Sequence, residues 1–178
     1  MFCGSRTGRD PASVDAARFV GRHLAERGVG LVYGGGSVGL MGAVADACLA
    51  HGGDVTGVIP RALFEAEQLH AGLTELVEVE SMHARKMEMT RRSDAFLVLP
   101  GGYGTLDETF EAITWWMLGI HDKPLGILDV NGFWRPLVEL IEHMHDEGFI
   151  GDGAPRPLVR SDPVALVREL LGEIRPRR

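Results

Sequence analysis

Residues 95–108 read "AFLVLPGGYGTLDE", and the fold turns on how this stretch is read. Residues 95–99 are all apolar, with the length and composition of a strand buried on both faces. Pro100, Gly101, Gly102 and Gly104 then break the pattern, and a helical periodicity opens directly after them. Such a corner aims unpaired N–H groups and the positive end of a helix dipole at whatever sits there. Its glycines allow close approach to the main chain. The guest this favours is an anion, a phosphate before others.

Outward from this corner, short apolar runs alternate with longer helical patterns along the whole chain, as expected for strands joined by crossover helices. The pattern predicts strands near 1–4, 29–33, 54–59, 75–79, 94–99 and 125–129. Helices are expected near 12–27, 37–51, 81–92, 105–119, 133–146 and 163–174, with a short irregular helix over 61–69. Asp162 is placed to cap the last helix and Pro163 to open it. The right-handed crossover rule turns this order into a three-layer α/β/α sandwich about a parallel sheet, with ligands at the carboxyl ends of the strands. No linker, repeat or low-complexity block interrupts residues 1–178, so one domain is expected.

Composition narrows the function. The 178 residues carry a formal charge of -7, which argues against wholesale binding to nucleic acid or an acidic membrane. Cys3 and Cys48 are the only cysteines; without a C-x-x-C pair they read as buried thiols, not as a zinc site or disulfide. "MFCGSRTG" lacks the apolar core of a signal peptide, and no segment approaches the roughly 20 apolar residues of a membrane span. A cytoplasmic protein is expected.

Two glycine corners compete for the site. "YGGGSVGLMG", 33–42, matches G-x-G-x-x-G through Gly34, Gly36 and Gly39. A dinucleotide site also wants an acid at the tip of the next strand, and that strand ends "GVIPRAL". The second corner lacks the G-K-[ST] of a P-loop. A monophosphate held by backbone amides and Thr105 suits it better.

Thr105 and Glu108 also fit a T-x-x-E capping box, in which Glu108 does no more than reach back to the cap. The functional alternative puts the Glu108 carboxylate one turn into a phosphate-binding helix, beside the sugar of a nucleotide, where it could stabilise an oxocarbenium-like ribose or activate water. In "SMHARKMEM", 81–89, Met82, Arg85 and Met89 share one helical stripe. Arg85 thus interrupts a face expected to pack inward. It either snorkels to solvent or pairs structurally, or, with Lys86, it reaches a ligand's phosphate, sugar or base. His83 reads as a surface residue, and "HMH" at 143–145 has poor metal-ligand spacing. The tryptophans of "TWWMLG" suit core and interface.

Taken together, "PGGYGTLDE", "SMHARK", "YGGGSVGLMG", "FCGS" and "TWWMLGIHDKPLGILDVNGFW" resemble the LONELY GUY (LOG) family of cytokinin riboside 5'-monophosphate phosphoribohydrolases, over nearly the whole chain. The resemblance implies a Rossmann-like homodimer that cuts the N-glycosidic bond of an adenine nucleoside monophosphate, giving free base and ribose 5-phosphate. It makes Arg85 and Glu108 catalytic. Around the nucleotide it puts Glu67, Lys86, the loop Gly102, Tyr103, Gly104, Thr105, Leu106 and Asp107, and Thr114. Asp107 departs from the family pattern, where many members have Glu, but leaves Glu108 in register. No metal or redox cofactor is implied.

Relatives of this kind have also carried the label "lysine decarboxylase". A pyridoxal phosphate enzyme needs a Schiff-base lysine and a partner for the pyridine nitrogen. The chain has only Lys86 and Lys123, neither in such a setting. The alternative from another class is a nonenzymatic nucleotide or molybdenum-cofactor binding protein. The joint presence of Arg85 and Glu108 argues for the enzyme, with Glu67 and Glu111 the next carboxylates in line.

Overall fold

The computed structural model describes residues 1–64 and 68–174. Its six helices are α1 (Ala12–Glu26), α2 (Gly39–Ala50), α3 (Met82–Arg92), α4 (Tyr103–Met117), α5 (Arg135–Asp146) and α6 (Pro163–Glu173). The strands are β1 (Leu31–Tyr33), β2 (Val55–Pro60), β3 (Glu75–Val79), β4 (Phe96–Val98), β5 (Leu125–Leu128) and β6 (Leu158–Arg160). All pair in parallel, in two ladders ordered β1-β2-β3 and β4-β5-β6.

The N-terminal segment joins the two ladders. The Met1 ammonium donates to the Val32 carbonyl at 2.8 Å, while Phe2 bridges Val98 in parallel. The spatial order is therefore β3-β2-β1, the N-terminal segment, then β4-β5-β6. This central segment was expected as a strand over 1–4, and its pairing is confined to that single bridge and its flanking bonds.

Side-chain alternation explains the layering, because successive residues of a strand face opposite sides of the sheet. Leu97 and Leu99 pack with Val20 of α1, Val44 of α2 and Leu166 of α6. Phe96 and Val98 pack with Met89 of α3, Ala112 of α4 and Leu137 of α5. Both faces are covered, as the three-layer α/β/α expectation requires. Asp162 caps α6 as expected, its Oδ1 accepting from the Val164 amide at 2.9 Å.

Three boundaries differ from expectation. β6 was not foreseen; it is a three-residue strand paired only to β5, an edge position that tolerates the neighbouring Pro155 and Pro157. Over 61–69 the described residues hold a 3₁₀ turn, Arg61–Leu63, and a bridge from Leu69 to Gly36, while 65–67 lie outside the described residues. The third difference, the start of α4, belongs to the site.

Candidate active site

α4 begins at Tyr103, with Gly102 as its cap. The expected start at Thr105 is corrected by two residues, and with it the capping box: Thr105 lies inside the first turn and is buried. Gly101 permits this geometry, since a Cβ there would stand 2.0 Å from the Thr105 hydroxyl oxygen. The first intrahelical bond runs from the Leu106 amide to the Gly102 carbonyl, 3.0 Å. The amides of Tyr103, Gly104 and Thr105 precede it and have no intrahelical acceptor.

In front of this turn lies a cavity of about 180 Å³, lined by Cys3, Gly4, Ser5, Met41, Met82, Arg85, Gly102, Gly104, Thr105, Asp107 and Glu108. It gathers Arg85, Glu108, Gly102, Gly104, Thr105 and Asp107 from the expected set, and it sits at the carboxyl ends of the central strands, where open α/β sheets bind ligands. A larger cavity, about 420 Å³, lies at the opposite, amino ends of β1 and β4, lined by Leu31, Ala95, Leu170 and their neighbours. It is remote from both glycine corners, so we assign the site to the smaller one.

Arg85 is 4% exposed. α3 delivers it inward from the first turn, where the Ser81 hydroxyl caps the Ala84 amide at 3.2 Å. Its Nη2 donates to the Gly34 carbonyl at 2.8 Å, and its Nη1 approaches the Met82 sulfur at 3.7 Å. Snorkelling to solvent is thereby excluded, whereas the structural pairing is present in the bond to Gly34. A buried guanidinium held at a cavity wall is a ready anchor for an anion or a purine edge.

Glu108 lines the same cavity from the second turn of α4. Cys3 lines the same cavity. Burial is the main cause that pushes the Cys3 thiol up to about 12; the N-terminal ammonium pulls it down and Glu108 adds to the rise. The thiol stays protonated near neutral pH and forms a wall of the cavity, without nucleophilic character.

Lys86, Tyr103, Leu106 and Thr114 are not among the cavity-lining residues. The Lys86 ammonium is held by Glu111 at 2.8 Å and Asp107 at 3.2 Å. Burial alone would lower its pKa, but the bonds to Glu111 and Asp107 outweigh that and raise it above the ordinary lysine value. Tyr103 is 94% exposed, and the Thr114 hydroxyl donates to the Phe110 carbonyl of its own helix at 2.7 Å. Glu67 falls outside the described residues.

The first glycine corner supports the site without lining it as a nucleotide loop. The Gly34 carbonyl accepts from Arg85, that of Gly35 from the His70 amide at 2.9 Å, and that of Gly36 from the Tyr33 hydroxyl at 3.1 Å. Gly39, at φ +62°, is pressed against the Ser5 and Arg6 backbone, where a Cβ would come within 2.3 Å of the Ser5 carbonyl carbon. From this stretch only Met41 reaches the cavity wall. Sequence reasoning did not single out Gly4, Ser5 and Met41 as site residues. The rule that ligands sit at strand carboxyl ends could have pointed to Gly4 and Ser5, which follow the central segment.

Among the described residues no three His, Cys, Asp or Glu side chains are grouped to hold a metal ion, and no helix is long and apolar enough to cross a membrane.

The chain resembles known proteins along most of its length. The family model described as "Possible lysine decarboxylase" matches residues 41–170. The chain is 49% identical over 171 residues to the cytokinin riboside 5'-monophosphate phosphoribohydrolase LOG of Oryza sativa subsp. japonica, covering 96% of this chain and 69% of that protein. It is 50% identical over 172 residues to the phosphoribohydrolase LOG7 of Arabidopsis thaliana, covering 96% and 79% respectively. Among solved structures, the molybdenum cofactor carrier protein of Chlamydomonas reinhardtii superposes with a TM-score of 0.69 at 22% identity, covering 94% of this chain and 93% of that one; at that identity the likeness concerns the fold alone. A family model spanning most of the chain, joined to near half-identity with LOG proteins along almost all of it, makes this chain a member of the LOG family.

Proposed function

We propose that the protein hydrolyses the N-glycosidic bond of cytokinin riboside 5'-monophosphates, which are N6-substituted adenine nucleotides, and of AMP, releasing the free base and ribose 5-phosphate. One observation carries this reading: a single cavity at the strand carboxyl ends joins the open first turn of α4, the Glu108 carboxylate and the buried Arg85 guanidinium. The curated relatives named above are phosphoribohydrolases, in keeping with it. On this reading residues 1–178 form one catalytic domain that works in the cytoplasm.

Each part then has a task. The first-turn amides and Thr105 anchor the 5'-phosphate. As the C1'–N9 bond breaks, its electron pair leaves with the base and positive charge grows on the ribose. Glu108 stabilises that charge and orients the water that adds its oxygen to C1'. The water's protons end on the carboxylate or solvent and on the departing base. Arg85 fixes the substrate at the opposite wall. Both lysines of the chain are tied to other groups, Lys86 to carboxylates and Lys123 to the Thr90 carbonyl, and neither lines the cavity, so decarboxylation through a lysine Schiff base is disfavoured. A molybdenum-cofactor carrier role shares the fold but gives Glu108 no task.

The phosphate anchor predicts that adenosine is a far poorer substrate than AMP. Binding energy at a remote group is used to orient the reacting centre, so removing the phosphate lowers turnover as well as affinity. We expect kcat/KM to fall by on the order of 10²-fold or more, within the range that orientation can supply. Equal values for the two substrates would sink the assignment of the glycine corner.

A cavity of about 180 Å³ is smaller than the roughly 300–1,000 Å³ of ordinary small-molecule sites. Near the carboxyl end of α4, Met117, Leu118 and Ile120 are each more than half exposed. This apolar surface suits a second copy of the chain, and the homodimer belongs to this reading. Sedimentation at micromolar concentration should return twice the 19.3 kDa chain mass; a monomer there counts against the dimer.

A further inference from the structure

Arg85 and Glu108 stand on different helices, and those helices are anchored in different halves of the sheet. α3 lies mainly against β1, β2 and β3, whereas α4 follows directly from β4 in the other ladder. The distance between guanidinium and carboxylate therefore depends on what ties α3 to α4 beside the cavity.

One tie is built of residues adjacent to the pair itself. Lys86 follows Arg85 in the chain, and its ammonium crosses to Glu111 Oε2 at 2.8 Å and to Asp107 Oδ2 at 3.2 Å. Asp107 precedes Glu108; Glu111 is one helical turn beyond it, on the same face. The Lys86 side chain is 10% exposed and that of Glu111 23%, so solvent screens the bond only weakly. Asp107, 59% exposed at its side chain, is the weaker arm.

From this geometry we infer that Glu111 is a positioning residue: with Lys86 it forms a bracket between α3 and α4 that sets Arg85 against Glu108, and the Lys86 ammonium acts through this bracket without contacting the substrate phosphate. The inference rests on the proposed hydrolase reading. It assigns Glu111 a role through Lys86, distinct from the direct role of Glu108.

The two possible roles of Lys86 separate in steady-state kinetics. If the ammonium held the phosphate, Lys86→Met would raise KM for AMP and Glu111→Gln would matter little. If the ammonium is a bracket, both substitutions misplace the reacting groups. Both then lower kcat by about tenfold, well inside the roughly 10²-fold that a 1 Å displacement can cost, with KM changed less than about twofold. The double variant Lys86→Met/Glu111→Gln should be no slower than the slower single variant, because each change already removes the same bond, and Lys86→Arg should restore most of kcat.

The test is base release from AMP by the wild type, the two single variants, the double variant and Lys86→Arg, with melting temperatures alongside. Coupled losses in kcat at unchanged KM among folded variants are the expected result. A Glu111→Gln variant with wild-type kcat, a Lys86→Met variant whose loss lies in KM, or losses in kcat that multiply in the double variant would each overturn the bracket. A wild-type protein that releases no base would instead overturn the hydrolase reading. Glu111→Gln keeps the side chain's shape; should it nonetheless unfold, Lys86→Met alone decides, through the split between kcat and KM.

Discussion

Glu108→Gln should fold, bind AMP and release almost no adenine. The amide keeps the size of the side chain but has no negative charge to set against the cation growing on the ribose. Losing one preorganised electrostatic group in a shielded site costs on the order of 10²-fold or more in kcat. The competing capping role is worth only about 0.5–2 kcal/mol of stability, and the structure removes its basis, since α4 starts at Tyr103 and Thr105 lies buried within its first turn. Turnover and AMP binding by calorimetry on the same preparation check the prediction. Near-normal turnover by a folded variant would mean that a different carboxylate does the work.

Arg85 should show a mixed phenotype. Arg85→Ala removes a guanidinium that is 4% exposed and bonded to the Gly34 carbonyl. Losing a buried charged hydrogen bond costs about 1.5–3 kcal/mol, which in a chain of this size lowers the melting temperature by roughly 3–12 °C at 2–4 °C per kcal/mol. Activity should fall together with affinity. Arg85→Lys separates the two effects: the ammonium is a single point charge without the planar fork that can bond Gly34 and face the cavity together. That variant should melt near the parent yet lose at least about tenfold in kcat/KM, a loss of roughly 1.4 kcal/mol in transition-state binding. A parent-like melting curve and parent-like kinetics for Arg85→Ala would show that the guanidinium serves neither fold nor reaction.

The parallel α/β order could be read from the sequence because each buried strand is a short apolar run bounded by turn residues, and each helix carries its own periodic stripe. β6 escaped because two half-buried residues and an exposed arginine beside two prolines have no periodicity to detect; only its bonds to β5 make it a strand. The start of α4 escaped for a related reason. T-x-x-E is a local signal for a cap at Thr105, but Gly101 lets the backbone close onto the Thr105 side chain, and the helix begins two residues earlier. Arg85 was ambiguous in sequence, since a stripe position does not reveal which group receives a guanidinium. Its acceptor, Gly34, is 51 residues away. The Lys86–Glu111 pair spans 25 residues and two helices, so no local spacing could announce it. The glycine corner was the most legible, because a strand, a glycine turn and a helix start follow one another directly in the sequence.

The most direct test of the account is incubation of the purified protein with N6-isopentenyl-AMP and, separately, with AMP, measuring free base and ribose 5-phosphate together. The account predicts that both products appear in equal amounts, without added metal or redox cofactor, and that Glu108→Gln yields neither. Tight binding of both nucleotides with no base released by the wild-type protein would contradict it.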